Sequence, residues 1–149
     1  MNWREFISPA RIAVGVAITS RREAAELLAE LIANDLNIEA APVLAALEAR
    51  EKLGSTAIGK GVALPHARTP TVRKPVGALL TLKTPVPCST PDGEPADIFI
   101  GFLVNSEGGD FSFLPPLLKH LREGQVLREI RQAETPAEAH ARLVSPDLI

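Results

Sequence analysis

The chain has 149 residues, 46% hydrophobic and 23% charged, with a formal net charge of −2. That is the size of one ordinary domain with a single core, and the composition is too apolar for a disordered segment. Charges of both signs are interspersed and aromatic residues make up only 4%, which excludes a basic nucleic-acid stripe and a base-stacking platform.

The single cysteine, Cys88, leaves no internal disulfide to form. No apolar run approaches the ~20 residues that cross a bilayer, and the opening "MNWREFISPA" carries early charges without an apolar signal core. The expectation is a cytoplasmic protein with no membrane insertion and no nucleic-acid partner.

In chain order, "RIAVGVAIT" (Arg11 to Thr19) is apolar and β-branched between Pro9 and Ser20, and predicts a strand. Ser20 and Glu23 then spell a capping box, and Leu27, Leu28, Leu31 and Ile32 recur at helical spacing. A second helix is predicted from Pro42 to about Lys52, stopped by Gly54. Its apolar face is Val43, Leu44, Leu47 and Leu53, and Arg50 stands near its C-terminal end.

Strands follow. "GVALP" predicts a short one, "VGALLTL" (Val76 to Leu82) a second and "DIFIGFLV" (Asp97 to Val104) a third. The third has no polar residue from Ile98 onward, as a strand covered on both faces requires. Between the last two, "TPVPCSTPDGEP" predicts a turn-rich loop. Helices are predicted over Leu114 to Arg122 and roughly Val126 to Gln132. A last helix opens with "TPAE", where Thr135 caps and Glu138 closes a second box. Helices on both sides of the strand group predict an α/β fold, a three-layer α/β/α sandwich around a small mixed sheet.

The stretch "GSTAIGKGVALPHA" (Gly54 to Ala67) carries the chemistry. Its first half nearly spells a phosphate-binding P-loop, but Gly61 stands where the magnesium-binding hydroxyl belongs. The order is also reversed: a helix runs into the glycines and a strand leaves them, so no helix N-terminus faces a phosphate. Its second half instead delivers His66 after a proline, at the C-terminal end of the short strand, where open α/β sheets commonly place their sites. An imidazole there is largely neutral and nucleophilic at cell pH. On residue type alone a lone histidine is as well explained by a loop or core position, and Arg50 by a solvated helix end.

"REKLGSTAIGKGVALPHA" (Arg50 to Ala67), with the apolar strand "DIFIGFLV" and the closing helices, resembles the fructose/mannitol-type enzyme IIA domains of the bacterial phosphoenolpyruvate-dependent phosphotransferase system. The likeness is especially close to their free-standing nitrogen-regulatory form. It implies that His66 accepts a phosphoryl group on Nε2 from the histidine of a small HPr-like protein, and passes it to an enzyme IIB or a regulatory target. It implies further that Arg50 holds the phosphoryl oxygens through its planar fork, with Thr56 adding a neutral donor. No cofactor is implied.

In one place the chain departs from the family pattern. Where these domains usually carry a second pocket histidine, counting back from Leu121 arrives at Ser112, in "GGDFSFLPPLLKHL". Ser112 is then a neutral phosphate donor, Asp110 lies beside it, and His120 is in the wrong helical register to substitute. This favours a regulatory role, and leaves as alternative a binding-only domain that signals by docking. Phe111 and Phe113 belong either to an apolar docking rim near the site or to the core. His66, His120 and His140 share no metal-ligand spacing, and Cys88 has no adjacent base in sequence.

Overall fold

A computed structural model describes residues 2–88, 92–123 and 125–144. Among these residues six α-helices and six strands follow one another: α1 (Trp3–Phe6), β1 (Ile12–Val16), α2 (Arg21–Leu36), α3 (Ala40–Glu51), β2 (Ala57–Gly59), β3 (Val62–Ala63), β4 (His66–Thr69), β5 (Val76–Val86), β6 (Ala96–Asn105), α4 (Leu114–Arg122), α5 (Val126–Gln132) and α6 (Pro136–Leu143). The strands form one mixed sheet in the order β1-β5-β6-β3-β2, with β4 also paired to β6. β1 is parallel to β5, β5 antiparallel to β6, and β3 and β4 both parallel to β6.

β5 and β6 are the centre, and their apolar runs are buried on both faces. On one face Leu79, Ile98, Ile100, Phe102 and Val104 pack with α1, α4, α5 and α6 through Trp3, Phe6, Leu117, Ile130 and Leu143. On the other, Ala78, Leu80, Phe99 and Leu103 pack with α2 and α3 through Leu28, Ile32, Val43 and Leu47. The predicted three-layer α/β/α sandwich is what forms. Strand alternation sends successive residues to opposite faces, so a run without polar residues builds two cores at once.

Local chemistry sets the helix ends. The Ser20 hydroxyl accepts the Glu23 N–H at 3.1 Å, and the Thr135 hydroxyl accepts the Glu138 N–H at 3.1 Å, as both capping boxes require. α2 ends on Asn37, which takes the left-handed conformation (φ 56°) that asparagine tolerates.

Several boundaries differ from the sequence expectation. Arg11 is not in β1. It closes a 3-10 turn, Pro9–Arg11, and its buried guanidinium donates to the carbonyls of Gly77, Glu5 and Phe6 while pairing with Asp35. One side chain thereby ties α1, α2 and β5 together. β1 ends at Val16, and within it Gly15 at φ +62° bulges the ladder and gives its N–H to the Thr81 hydroxyl. α3 starts at Ala40, two residues before Pro42, whose missing N–H is harmless in a first turn. β5 runs on to Val86, so the predicted turn-rich loop is shorter than expected; its residues 89–91 lie outside the described residues.

Candidate active site

The strand that ends in Leu64–Pro65 does not deliver His66 to a free end, as the sequence suggested. β3 leaves β6 after Ala63, and β4 rejoins it at His66, with the register advancing from Ala63↔Phe99 to His66↔Phe102. Proline at 65 has no N–H to give to a ladder, so pairing breaks there, while its carbonyl still accepts the Phe102 N–H at 3.0 Å. His66 therefore opens a second strand segment, directly abreast of Phe102.

That register fixes the imidazole. His66 stacks on Phe102 with ring centroids 4.8 Å apart and planes 5° from parallel. Phe111 meets it edge-on at 5.4 Å and 71°. The ring is further pinned through Nδ1, which lies 2.7 Å from the Leu64 carbonyl. A carbonyl oxygen can only accept, so Nδ1 carries the proton and the lone pair of the neutral ring is on Nε2. Partial burial, the leading cause, holds the His66 pKa below its ordinary value of 6.5. The Leu64 hydrogen bond opposes the shift, the Arg50 charge adds to it, and Glu51 opposes it. The imidazole is thus kept neutral, nucleophilic and oriented.

Around it lies an open cleft of about 380 Å³ whose lining includes Arg50 from the end of α3, Leu53 from the turn after it, His66 and Arg68 from β4, and Phe111. Ala46 and Ala49 form the α3 side, and side chains that small leave the space clear. Arg50 is held at the end of its helix by donating to the Gly54 carbonyl at 3.1 Å. Its neighbour Glu51 faces the following loop, accepting the Thr56 N–H at 3.3 Å and the Thr56 hydroxyl at 2.8 Å.

Of the four residues singled out from sequence, two meet here. Arg50 and His66 line one cleft. Thr56 and Ser112 do not line it. Thr56 is buried and its hydroxyl hydrogen goes to Glu51. Ser112 is exposed, and both its hydroxyl (2.7 Å) and its N–H (3.0 Å) donate to the Asp110 carboxylate. Those two bonds hold the Asp110 carboxyl below its usual pKa. As phosphate donors both hydroxyls are already committed to carboxylates, and the expectation drawn for them from sequence finds no support in this geometry.

Arg68 was missed. Residues two apart in a strand share a face, and the spacing His66-x-Arg68 carried that signal once β4 was known to be a strand. Phe113 is core, buried against Trp3, Phe6 and Phe102, whereas Phe111 lines the cleft. His120 is buried and donates from Nε2 to the Leu143 carbonyl at 2.8 Å, joining α4 to α6. Burial raises the Cys88 pKa above its ordinary value, which favours the unreactive thiol. Among the described residues, no three His, Cys, Asp or Glu side chains converge as metal ligands, and no helix is long and apolar enough to cross a membrane. A larger cleft, about 600 Å³, lies between α1 and residues 71–76. Its buried cation, Arg11, is already fully engaged.

Residues 5–145 match the family described as phosphoenolpyruvate-dependent sugar phosphotransferase system, EIIA 2. The chain is 34% identical over 143 residues to a nitrogen regulatory protein of Pseudomonas aeruginosa, covering 94% of this chain and 92% of that one. Its fold superposes on the crystal structure of the nitrogen regulatory protein IIA-Ntr from Neisseria meningitidis with a TM-score of 0.84 at 27% identity, covering 93% of this chain and 97% of that one. It also superposes on the mannitol enzyme IIA of Escherichia coli, solved in complex with phosphorylated enzyme IIB, with a TM-score of 0.78. At 19% identity over 91% of this chain and 95% of that one, that likeness is one of fold.

Proposed function

The chain belongs to the EIIA 2 family of the phosphoenolpyruvate-dependent sugar phosphotransferase system, and from that premise we propose that it is a histidine phosphocarrier of the nitrogen-regulatory branch, loaded on Nε2 of His66. The observation that carries the reading is the Nδ1–H hydrogen bond to Leu64, which leaves the Nε2 lone pair free in a cleft shared with Arg50.

The donor is an HPr-like protein carrying phosphohistidine. The His66 Nε2 lone pair forms the new N–P bond as the donor's N–P bond breaks, and the electron pair of that bond returns to the donor imidazole. The His66 Nδ1 proton stays in place, facing the Leu64 carbonyl, and spreads the positive charge that develops on the ring. No proton needs to be removed from the nucleophile first, because the ring is already neutral. Phosphoryl transfer asks the protein mainly for alignment and for charge around the equatorial oxygens. Alignment comes from the Phe102 stack and the Leu64 hydrogen bond, and charge from the Arg50 guanidinium, whose fork matches two phosphoryl oxygens.

The donor docks on the apolar rim of the cleft. Leu53 is 83% exposed at its edge, a level that serves no core, and Phe111 faces it from the loop that follows β6. Onward transfer goes to an enzyme IIB or to a regulatory target protein in the cytoplasm. Incubation with phosphoenolpyruvate, enzyme I and an HPr-type donor, read by intact mass, tests this. One acid-labile phosphoryl group is expected in the wild type and none in His66→Ala. A folded wild type that binds the donor and gains no mass would leave the binding-only alternative.

A further inference from the structure

Arg68 stands two residues beyond His66 on β4, so the two side chains leave the same face of the strand, their Cα atoms roughly 6.6 Å apart. Both line the cleft that Arg50 also lines. Unlike Arg50, Arg68 is not among the charges that set the His66 pKa. Its guanidinium is turned toward the loop after β6, where Nη1 donates to the Gly109 carbonyl and the carbon of the fork lies 4.7 Å from the centroid of Phe111. Phe111 is the ring whose edge meets His66.

We propose that Arg68 is a second phosphoryl-binding guanidinium, parked on Phe111 and Gly109 in the unloaded chain and turning onto the phosphoryl oxygens once His66 carries the group. The proposal rests on His66 being the carrier. A neutral carbonyl and a half-buried aromatic ring are weak partners for a guanidinium, whereas a phosphoryl dianion offers charge-assisted, two-pronged hydrogen bonds. The exchange needs only rotation of an exposed side chain, with β4 itself held in place by β6.

The charges facing Arg68 favour this. Asp110 is the acidic group near it, and its Oδ1 already accepts both donors of Ser112. Glu51, the acid beside His66, is held by Thr56. Neither carboxylate has an ion pair with Arg68, so the phosphoryl group meets an unspent cation.

The test follows the Arg68 Nε–H resonance, assigned with Arg68→Gln, while the wild-type chain is loaded with an HPr-type donor. Loading should move that resonance downfield and slow its exchange with water, and His66→Ala should show no change. At equilibrium with the same donor, Arg68→Gln should shift the phosphoryl partition toward the donor by about tenfold, and Arg68→Lys should recover part of that. A wild-type chain that gains its phosphoryl group while the Arg68 signal and the Arg68→Gln partition stay unchanged overturns the proposal and leaves the His66 assignment standing. A wild-type chain that takes up no phosphoryl group overturns both.

Discussion

Gly61→Ala should destabilise the chain through a clash that can be located atom by atom. The turn Gly59-Lys60-Gly61 between β2 and β3 has three successive positive φ angles, 88°, 56° and 79°. A Cβ at position 61 would sit 2.5 Å from Arg131 Nη2 and 2.8 Å from Asp97 Oδ1. Those two groups form a clamp: Arg131 pairs with Asp97 at 2.9 Å and donates to the Lys60 carbonyl, holding the turn against the start of β6. Left-handed backbone costs an alanine roughly 1–2 kcal/mol. Displacing a part-exposed ion pair adds about 0.2–1 kcal/mol. The sum is about 2 kcal/mol, or a fall in melting temperature of about 4–8 °C for a chain of this size. Denaturant melts of Gly61→Ala, Arg131→Ala and the double variant separate the two terms. With the arginine gone, the 2.5 Å contact disappears and Asp97 is released to turn away from the new Cβ, so the glycine change should cost about 0.2–1 kcal/mol less in that background. Strictly additive losses would refute the clash and leave backbone strain as the whole effect.

Arg50→Lys should leave folding intact and slow loading of His66 by about tenfold, about 1.4 kcal/mol, because a point charge cannot form the planar fork; quench-flow loading with an HPr-type donor measures it, and an unchanged rate would return Arg50 to a helix-end charge. Because burial lowers the His66 pKa from 6.5, the unfolded chain binds the proton more readily. The stability His66 contributes is therefore present above about pH 6.5 and lost as pH falls through the lower folded value. Denaturant melts across that window should show His66→Gln losing less stability on acidification than the wild type. Leu53→Lys, at a side chain 83% exposed, should raise the apparent KM for the HPr-type donor several-fold with melting temperature unchanged; an unchanged KM would remove Leu53 from the docking rim.

What the sequence showed plainly was local chemistry. Ser20 and Thr135 announced their helices because a cap needs only its own third neighbour. The apolar run of β6 announced a buried central strand because period and composition are intrinsic to it. The motif around His66 was legible because its two glycines permit positive φ and its proline fixes φ, whatever surrounds them. Pieces made by tertiary pairing were hidden. β2, β3 and β4 are two to four residues long and exist only through their partners β3 and β6. That is why His66 looked like a strand exit when it is a strand start, and why Arg68 was not singled out. Ser112 was placed by counting, but counting ignores the nearest acceptor, and Asp110 two residues earlier takes its hydroxyl. Arg11 looked like the first residue of a strand, and two of its partners, the Gly77 carbonyl and the Asp35 carboxylate, lie far from it in sequence.

The central claim is that this chain carries its phosphoryl group on Nε2 of His66 because Leu64 holds the proton on Nδ1. Long-range proton–nitrogen correlation spectra of the imidazoles, recorded before and after loading from an HPr-type donor, test it directly. The account predicts a neutral His66 protonated at Nδ1 before loading, and afterwards a ring with phosphorus coupled to Nε2 and the Nδ1 proton retained. Phosphorus coupled to Nδ1, or a phosphoryl group on any residue other than His66, would contradict it.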